Sequence, residues 1–267
     1  MSHVATLPIV GGEVTDLTCV QCGYDLRGLS PTGVCPECGT AVERSLQGTL
    51  LRFSSPDYVA NLYRGLWLIV TGILVQVALV AVTIFVAFSL TPTGASVASG
   101  LMVLVSIAEF GVAAMILWGW WLFSEPDPRY TGRDDGSTAR KIVRIAVIVV
   151  AVTAIAEVFK TILVGAGTPS PVVALLLGAL GLLGLIAWVT QFFAAMQYLR
   201  WLAPRLPDAY TAKRARLLMW LTPLLYTVGL LLLGLGPLIA LVLYWNLLDH
   251  VRKRIKAIRA EQSPVGA

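Results

Sequence analysis

Four cysteines near the start of the chain have the spacing of a metal site. Cys19 and Cys22 form one Cys-x-x-Cys-Gly motif, and Cys35 and Cys38 form a second one after 12 intervening residues. The two thiolates of a motif can bind one side of an ion, and the following glycine permits a tight turn whose amides can donate to sulfur. Four thiolates leave no coordination position open, which is typical of structural zinc. The prediction is therefore structural Zn²⁺. Iron in a rubredoxin-like site is the alternative, disfavoured by the short spacing and by Tyr24 being the only aromatic residue between the motifs.

The segment around these cysteines predicts a small β zinc ribbon. Between the motifs, the sequence GYDLRGLSPTG is short and bounded by glycines, which favours a β-hairpin. About 25 residues bury too little apolar surface to fold alone, so we expect metal binding to supply the folding free energy. The predicted organisation is a flexible N-terminus (1–16), the ribbon (17–42) and a linker or interfacial segment (43–64).

The remainder of the chain has the composition of a polytopic membrane protein. Of the 267 residues, 57% are hydrophobic and only 13% are charged, with a mean hydropathy of +0.79, whereas a soluble domain has about a quarter charged residues. The predicted fold class is an all-α membrane helix bundle over residues 65–248. Its apolar blocks cover 65–90, 97–123, 145–165, 172–199 and 217–248. The first four each suit one span of about 20 residues.

The last apolar block leaves two interpretations open. As one helix it would be about 48 Å long, well beyond a hydrocarbon core of about 30 Å. The helix-breaking sequence GLGP, residues 234–237, lies near its middle. The block is either one long kinked helix, giving five spans, or a hairpin of 217–233 and 237–248, giving six.

Basic residues predict the orientation and favour six spans. They concentrate after the second block, after the fourth block and in the tail 249–267, whereas the connections after the first and third blocks have none. The positive-inside rule places the basic segments and the N-terminus in the cytoplasm. With five spans the basic tail would lie outside. The basic residues concerned are Arg129, Arg133, Arg140, Lys141, Arg144, Arg200, Arg205, Lys213, Arg214, Arg216, Arg252, Lys253, Arg254, Lys256 and Arg259.

The opening residues predict a cytoplasmic N-terminus as well. They lack the basic start and continuous apolar stretch of a cleavable signal. In a reducing compartment, four cysteines are expected to be metal ligands rather than disulfides. The predicted location is the cytoplasmic membrane, with the C-terminus in the cytoplasm.

A Pro-Asp dipeptide precedes each of the three hairpins of the six-span arrangement. These dipeptides are Pro56-Asp57, Pro126-Asp127 and Pro207-Asp208. Pro and Asp are common near helix starts, which is the ordinary explanation, and a degenerate threefold repeat is the other.

Three ionisable residues interrupt the apolar blocks and form a candidate intramembrane polar site. They are Glu109, Glu157 and Lys160. Glu157 and Lys160 share a helix face, so they can form a couple that extends towards the surface. The functional alternative is a proton or ion relay, because ionisable groups within lipid are costly and often mark a pathway.

The N-terminal pattern resembles that of a group of uncharacterised bacterial zinc-ribbon membrane proteins. The resemblance rests on CxxCGYDLRGL followed by CPECG, at Cys19–Gly39, and on several membrane spans beyond it. It implies metal ligation by the four cysteines and brings no activity with it.

Two hypotheses for the function follow. The first is a cytoplasmic interaction or regulatory module anchored by the bundle, with Tyr24, Leu26, Arg27 and Leu29 as candidate contacts for an unknown protein partner. The ordinary alternative for these four residues is hairpin core and turn. The second hypothesis is a small transporter or channel subunit that uses Glu109, Glu157 and Lys160.

Other functions are less well supported by the sequence. The closed cysteine site and the absence of a catalytic motif disfavour an enzyme. The basic tail fits lipid better than nucleic acid, because it adjoins membrane spans. A homo-oligomer is compatible with such a bundle.

Overall fold

The computed structural model shows a helical bundle preceded by a small cysteine-bearing head, residues 18–47. It describes residues 9–10, 13–14, 18–47, 50–89, 95–128, 136–166, 170–206, 208–231 and 235–262. Among these, strands β1 (Ile9–Val10) and β2 (Glu13–Val14) pair antiparallel. The α-helices are α1 (Val42–Gln47), α2 (Pro56–Ser89), α3 (Ala95–Phe123), α4 (Ser137–Ala166), α5 (Pro171–Leu202), α6 (Ala209–Leu231) and α7 (Leu235–Gln262).

The head is held by turns and single bridges rather than by extended strands. Its two isolated bridges join Thr18 to Asp25 and Val34 to Ala41. The six-residue helix α1 follows the second bridge. A β ribbon is therefore not shown for the described part of the head.

Three helical segments are long and apolar enough to cross a membrane. Within the described ranges, they are Pro56–Val86, Leu104–Phe123 and Pro171–Arg205. Little of their apolar surface is covered by protein, and for Pro171–Arg205 only 6% of the most apolar window is buried. Soluble proteins rarely expose apolar patches of this extent, so these helices indicate a membrane protein. The predicted helical bundle is confirmed to that extent.

The long helices pack as three consecutive hairpins. α2 packs on α3, α4 on α5 and α6 on α7, and α7 also packs against α2. Small residues allow close approach: a Cβ added at Gly65 of α2 would lie 2.7 Å from the carbonyl oxygen of Gly119 in α3. The indole of Trp245 in α7 donates a hydrogen bond to the carbonyl of Val70 in α2 (3.1 Å). The buried core lies in the half of the bundle that contains the start of α2.

The last apolar block forms two helices rather than one kinked helix. α6 ends at Leu231, α7 begins at Leu235, and the two pack against each other. Gly229 and Gly236 meet so closely that a Cβ at Gly229 would lie 2.3 Å from the Cα of Gly236. The block is therefore divided between two packed helices. α7 also continues to Gln262, so most of the predicted basic tail is helical.

Candidate metal centre

Each Cys-x-x-Cys-Gly motif folds into the same tight turn. The amide of Gly23 donates to the carbonyl of Cys19, and the amide of Gly39 donates to the carbonyl of Cys35, both at 2.9 Å. Gly23 and Gly39 have φ angles of 79° and 71°. Glycine suits both positions, because a side chain is disfavoured in this left-handed region.

The two turns bring the four sulfur atoms into one cluster. The Sγ atoms of Cys19 and Cys38 lie 3.6 Å apart, and those of Cys22 and Cys35 lie 3.7 Å apart. All four ligand atoms lie within 4.8 Å of one another. A tetrahedral ion with metal–sulfur bonds of about 2.3 Å requires neighbouring sulfurs about 3.8 Å apart. The cluster therefore has the size and the donor set to hold one metal ion.

The electrostatics of the cluster favour a bound cation. Burial raises the pKa of the Cys19 thiol, but hydrogen bonds led by the backbone amide of Cys22 outweigh this and lower the pKa to about 6. Hydrogen bonds with the hydroxyl and amide of Thr40 lower the pKa of Cys38. At Cys22 a backbone amide favours the thiolate, but desolvation and the three other sulfurs raise the pKa to about 12. Thiols this close cannot all ionise unless a cation neutralises them.

A polar bridge between the two motifs was not predicted from the sequence. The Sγ of Cys38 lies 3.2 Å from the hydroxyl oxygen of Thr40, and that hydroxyl donates to the side-chain oxygen of Gln21 (2.6 Å). The amide of Val20 donates to the hydroxyl of Ser45 in α1 (3.2 Å). These contacts connect the two turns and α1 around the cysteines, as outer-shell partners of a metal site do.

One predicted contact residue belongs to the core of the head. Leu26 is 0% exposed, so the prediction that it contacts a partner is wrong. Its side chain lies in an apolar cluster beneath the cysteines, where a leucine stabilises the head by burial. Leu29 is half-buried and packs against the same cluster. The cluster comprises Cys19, Leu26, Cys35 and Val42, with Leu29, Cys38 and Leu46 packed against it.

The other two predicted contact residues lie on the surface of the head. Tyr24 is 42% exposed. Arg27 is exposed and donates through Nε to the carboxylate of Asp25 (2.7 Å). Val34, which was not singled out from the sequence, is 61% exposed. The head thus presents aromatic, aliphatic and cationic groups to its surroundings.

The predicted intramembrane polar site is described only in part. The hydroxyl of Thr83 in α2 donates to the carboxylate of Glu109 in α3 (3.2 Å). Thr83 also donates to the carbonyl of Leu79 in its own helix (3.0 Å). Glu157 and Lys160 belong to α4, and their side chains lie outside the described residues.

A buried ion pair that was not predicted joins three segments of the bundle. Arg205, after α5, donates to the carboxylate of Asp127, after α3 (2.5 Å), and the side chains are only 4% and 2% exposed. The hydroxyl of Ser54, before α2, donates to the same carboxylate (2.7 Å) and accepts from Arg205 (2.9 Å). This cluster joins the ends of helices rather than forming an open site.

The third Pro-Asp dipeptide supplies a second interhelical contact. Asp208 lies 2.7 Å from Nε2 of His250 in α7. It also accepts from the hydroxyl of Thr211 at the start of α6 (2.7 Å). Asp127 and Asp208 both belong to the recurring Pro-Asp dipeptide, but so does the exposed Asp57, so the dipeptide alone does not predict burial.

Comparisons with known proteins identify no relative. No protein-family model, curated protein or solved structure matches this chain.

Proposed function

We propose that the chain is a multi-pass membrane protein whose zinc-stabilised cytoplasmic head is an interaction module. The observation that carries the proposal is the closure of the four-cysteine cluster within 4.8 Å. Four thiolates complete a tetrahedral shell, so the ion acts on folding rather than on a substrate. The resemblance of the CxxCGYDLRGL and CPECG motifs to bacterial zinc-ribbon membrane proteins supports the same assignment, with the head folded around zinc.

The hairpin packing supports six spans with both termini in the cytoplasm. Helices α2 to α7 form three consecutive hairpins. The basic residues occur from the end of α3 into the first turns of α4, from the end of α5 into the first turns of α6, and in the second half of α7. One orientation puts all of these segments on the same side as the head, and the positive-inside rule makes that side cytoplasmic. In a bacterium this membrane is the inner membrane.

The proposed contact surface is fixed by the cysteine turns. Tyr24 directly follows the first turn, and its carbonyl accepts a hydrogen bond from the amide of Cys19 (2.7 Å). Val34 directly precedes Cys35. Because both exposed apolar residues adjoin metal ligands, metal binding orders them at the same time. Exposed aromatic and aliphatic groups beside Arg27 suit a protein partner whose surface is apolar with an acidic rim.

Partner capture from membranes tests this proposal. The full chain, solubilised in mild detergent, is compared with Tyr24→Ala plus Val34→Ser, which removes surface groups and spares the ligands. Thr32→Ala, another exposed residue of the head, is the matched control. We expect one set of partners to be lost with the surface double variant and retained with the control, while both variants keep their zinc. Identical partner sets for all three proteins would contradict the proposal.

A transport function has one specific observation in its favour. Glu109 accepts a hydrogen bond from Thr83 across the α2–α3 contact, so a carboxyl group lies within an apolar region of the bundle. A flux assay in proteoliposomes that compares wild type with Glu109→Gln tests the transport function. Flux abolished by this substitution, with unchanged expression, would favour a transporter, whereas no flux in either protein would remove that candidate.

A further inference from the structure

A basic cavity lies between α4, α5 and α6 at the end of the bundle where α4 and α6 begin. Its volume is about 290 Å³, close to the lower limit of small-ligand pockets. It is lined by Gly136, Ala139, Gln197, Arg200, Trp201, Ala212 and Arg216. Among the described residues, no carboxylate lines it and neither arginine forms an ion pair. Two guanidinium groups beside an amide side chain form a site for an oxygen-rich anion.

The N-terminus of α4 adds to the positive potential of this cavity. Gly136 and Ala139 flank the first turn of the 30-residue helix α4, and the amide of Arg140 makes a helical bond to the carbonyl of Gly136 (3.0 Å). The amides before Arg140 have no acceptor within the helix, and the helix dipole is positive at this end. Such helix ends favour phosphate groups.

The wall of the cavity is held in place by aromatic packing. The ring of Trp201 stacks on Tyr198 with centroids 5.6 Å apart and an interplanar angle of 19°. The guanidinium of Arg205 lies 5.1 Å from the centroid of Trp201. A Cβ at Gly136 would lie 2.4 Å from this indole, so only glycine fits opposite it. The cavity is therefore formed before any ligand binds.

Exposed apolar side chains continue from the cavity along the bundle. α4 and α6 both pack on α5, and no comparable packing joins α4 to α6 among the described residues, which leaves a groove with α5 as its floor. Ile142 lies one turn beyond Ala139, and Trp220 lies one turn beyond Arg216. Both are exposed, as is Leu217. A soluble anion has no apolar part that could occupy this groove, whereas the acyl chains of a lipid can occupy it.

We propose that this cavity binds the phosphate group of an anionic phospholipid, with its acyl chains in the groove between α4 and α6. Arg200 and Arg216 bind the phosphate oxygens, and Gln197 donates to a neighbouring oxygen of the head group. Basic pockets between membrane helices recognise anionic head groups in this way.

Native mass spectrometry of the full chain in neutral detergent, titrated with phosphatidylglycerol, tests the proposal. We expect one lipid to bind each chain with high affinity, and Arg200→Gln plus Arg216→Gln to weaken this binding at least about tenfold. Lys141→Gln plus Lys213→Gln removes the same charge from exposed residues beside the cavity that do not line it, and should leave the affinity unchanged. Phosphatidylcholine should bind more weakly than phosphatidylglycerol to the wild type.

Three outcomes would overturn the proposal. Equal losses of lipid affinity in the two double variants would mean that diffuse positive charge attracts the lipid and that the cavity is not a specific site. If glycerol phosphate or inorganic phosphate bound as tightly as the lipid, the ligand of the cavity would be a soluble anion and not a lipid. Unchanged binding in the arginine variant would exclude these residues. If that variant fails to fold, the exposed residue Arg216 alone, as Arg216→Gln, must still lose more affinity than Lys213→Gln.

Discussion

Arg205 and Asp127 form a buried ion pair across 78 residues of sequence, with their nitrogen and oxygen atoms 2.5 Å apart. The hydroxyl of Ser54 contacts both partners. The pair therefore connects the segments before α2, after α3 and after α5 at one end of the bundle. Removal of one partner from such a pair is strongly destabilising, because it leaves an uncompensated buried charge.

Asp127→Asn should destabilise the bundle by about 3–5 kcal/mol, because it leaves the buried guanidinium of Arg205 without this carboxylate. Asp57→Asn is the matched control, since Asp57 has the same Pro-Asp context but is exposed in the first turn of α2. Its helix-end charge is worth about 0.3–1 kcal/mol. Thermal unfolding in neutral detergent measures both effects. Equal destabilisation by the two substitutions would refute the structural role of the ion pair.

Gly236→Ala should weaken the α6–α7 hairpin. A Cβ at Gly236 would lie 2.2 Å from the carbonyl oxygen of Leu225 and 2.3 Å from the Cα of Gly229. Both neighbours are backbone atoms, so the helices must separate, at a cost of about 1–3 kcal/mol. Gly178→Ala in α5 is the control, because nothing lies within 4 Å of its added Cβ. If chemical unfolding in detergent shows the two variants to be equally stable, α6 and α7 do not approach in this way.

Gly39→Ala should reduce metal affinity through the backbone alone. Nothing lies within 4 Å of a Cβ at Gly39, but its φ is +71°. An alanine there costs about 1–2 kcal/mol, or roughly 5–30-fold in affinity if metal binding and folding of the head are coupled. Gly39→Asn should recover part of the loss, because asparagine tolerates this conformation better. Zinc competition titrations measure the affinities, and an asparagine variant as weak as the alanine variant would contradict this explanation.

Asp249 should contribute stability that disappears only in acid. Burial raises the pKa of this carboxyl group, but hydrogen bonds from Lys253 and Arg252 outweigh it and hold the pKa below its usual range. Since the folded-state pKa is the lower one, the contribution is complete above the unfolded value of about 3.9 and is lost as the pH falls through the folded value. The difference in unfolding free energy between wild type and Asp249→Asn should therefore be constant near neutral pH and shrink below about pH 4.

Glu261→Gln controls for this measurement, because Glu261 is an exposed acid on the same helix. Unfolding is followed by circular dichroism in a detergent without titratable groups. If the difference in unfolding free energy between wild type and Asp249→Asn shrank as the pH rose, the folded state would raise the pKa of Asp249 instead of lowering it. That result would contradict the assignment.

The features predicted from the sequence are those encoded in local spacing. The two Cys-x-x-Cys-Gly motifs predict the cysteine cluster, because each needs only one turn of backbone to bring two sulfurs together. The apolar blocks predict the helices, because apolar segments of this length have few alternatives to a membrane span. GLGP and the basic residues beyond it favour a division of the last block, and the structure has two helices there.

The features missed depend on long-range packing. Asp127 and Arg205 lie in polar connections, and nothing local distinguishes a buried ion pair from two solvated charges. Leu26 lies between polar residues, so its burial beneath the cysteines becomes apparent only when both turns are assembled.

The extension of α7 through the basic tail could have been predicted from the spacing of its apolar residues, although the tail's composition is mostly polar. Val251, Ile255 and Ile258 recur at helical spacing within the basic tail. The first two are buried and the third packs against the same core, whereas Lys253 and Lys256 are exposed. This period of 3.6 residues predicts an amphipathic helix.

Metal content tests the central claim most directly. Inductively coupled plasma mass spectrometry of the purified full chain is compared with Cys35→Ser plus Cys38→Ser, which removes two of the four sulfurs. We predict one zinc ion per wild-type chain and none in the double variant. The head of the variant should become sensitive to protease, while the helical circular dichroism of the bundle persists. Wild-type protein that holds no metal, or a double variant that retains zinc and a protease-resistant head, would contradict the account.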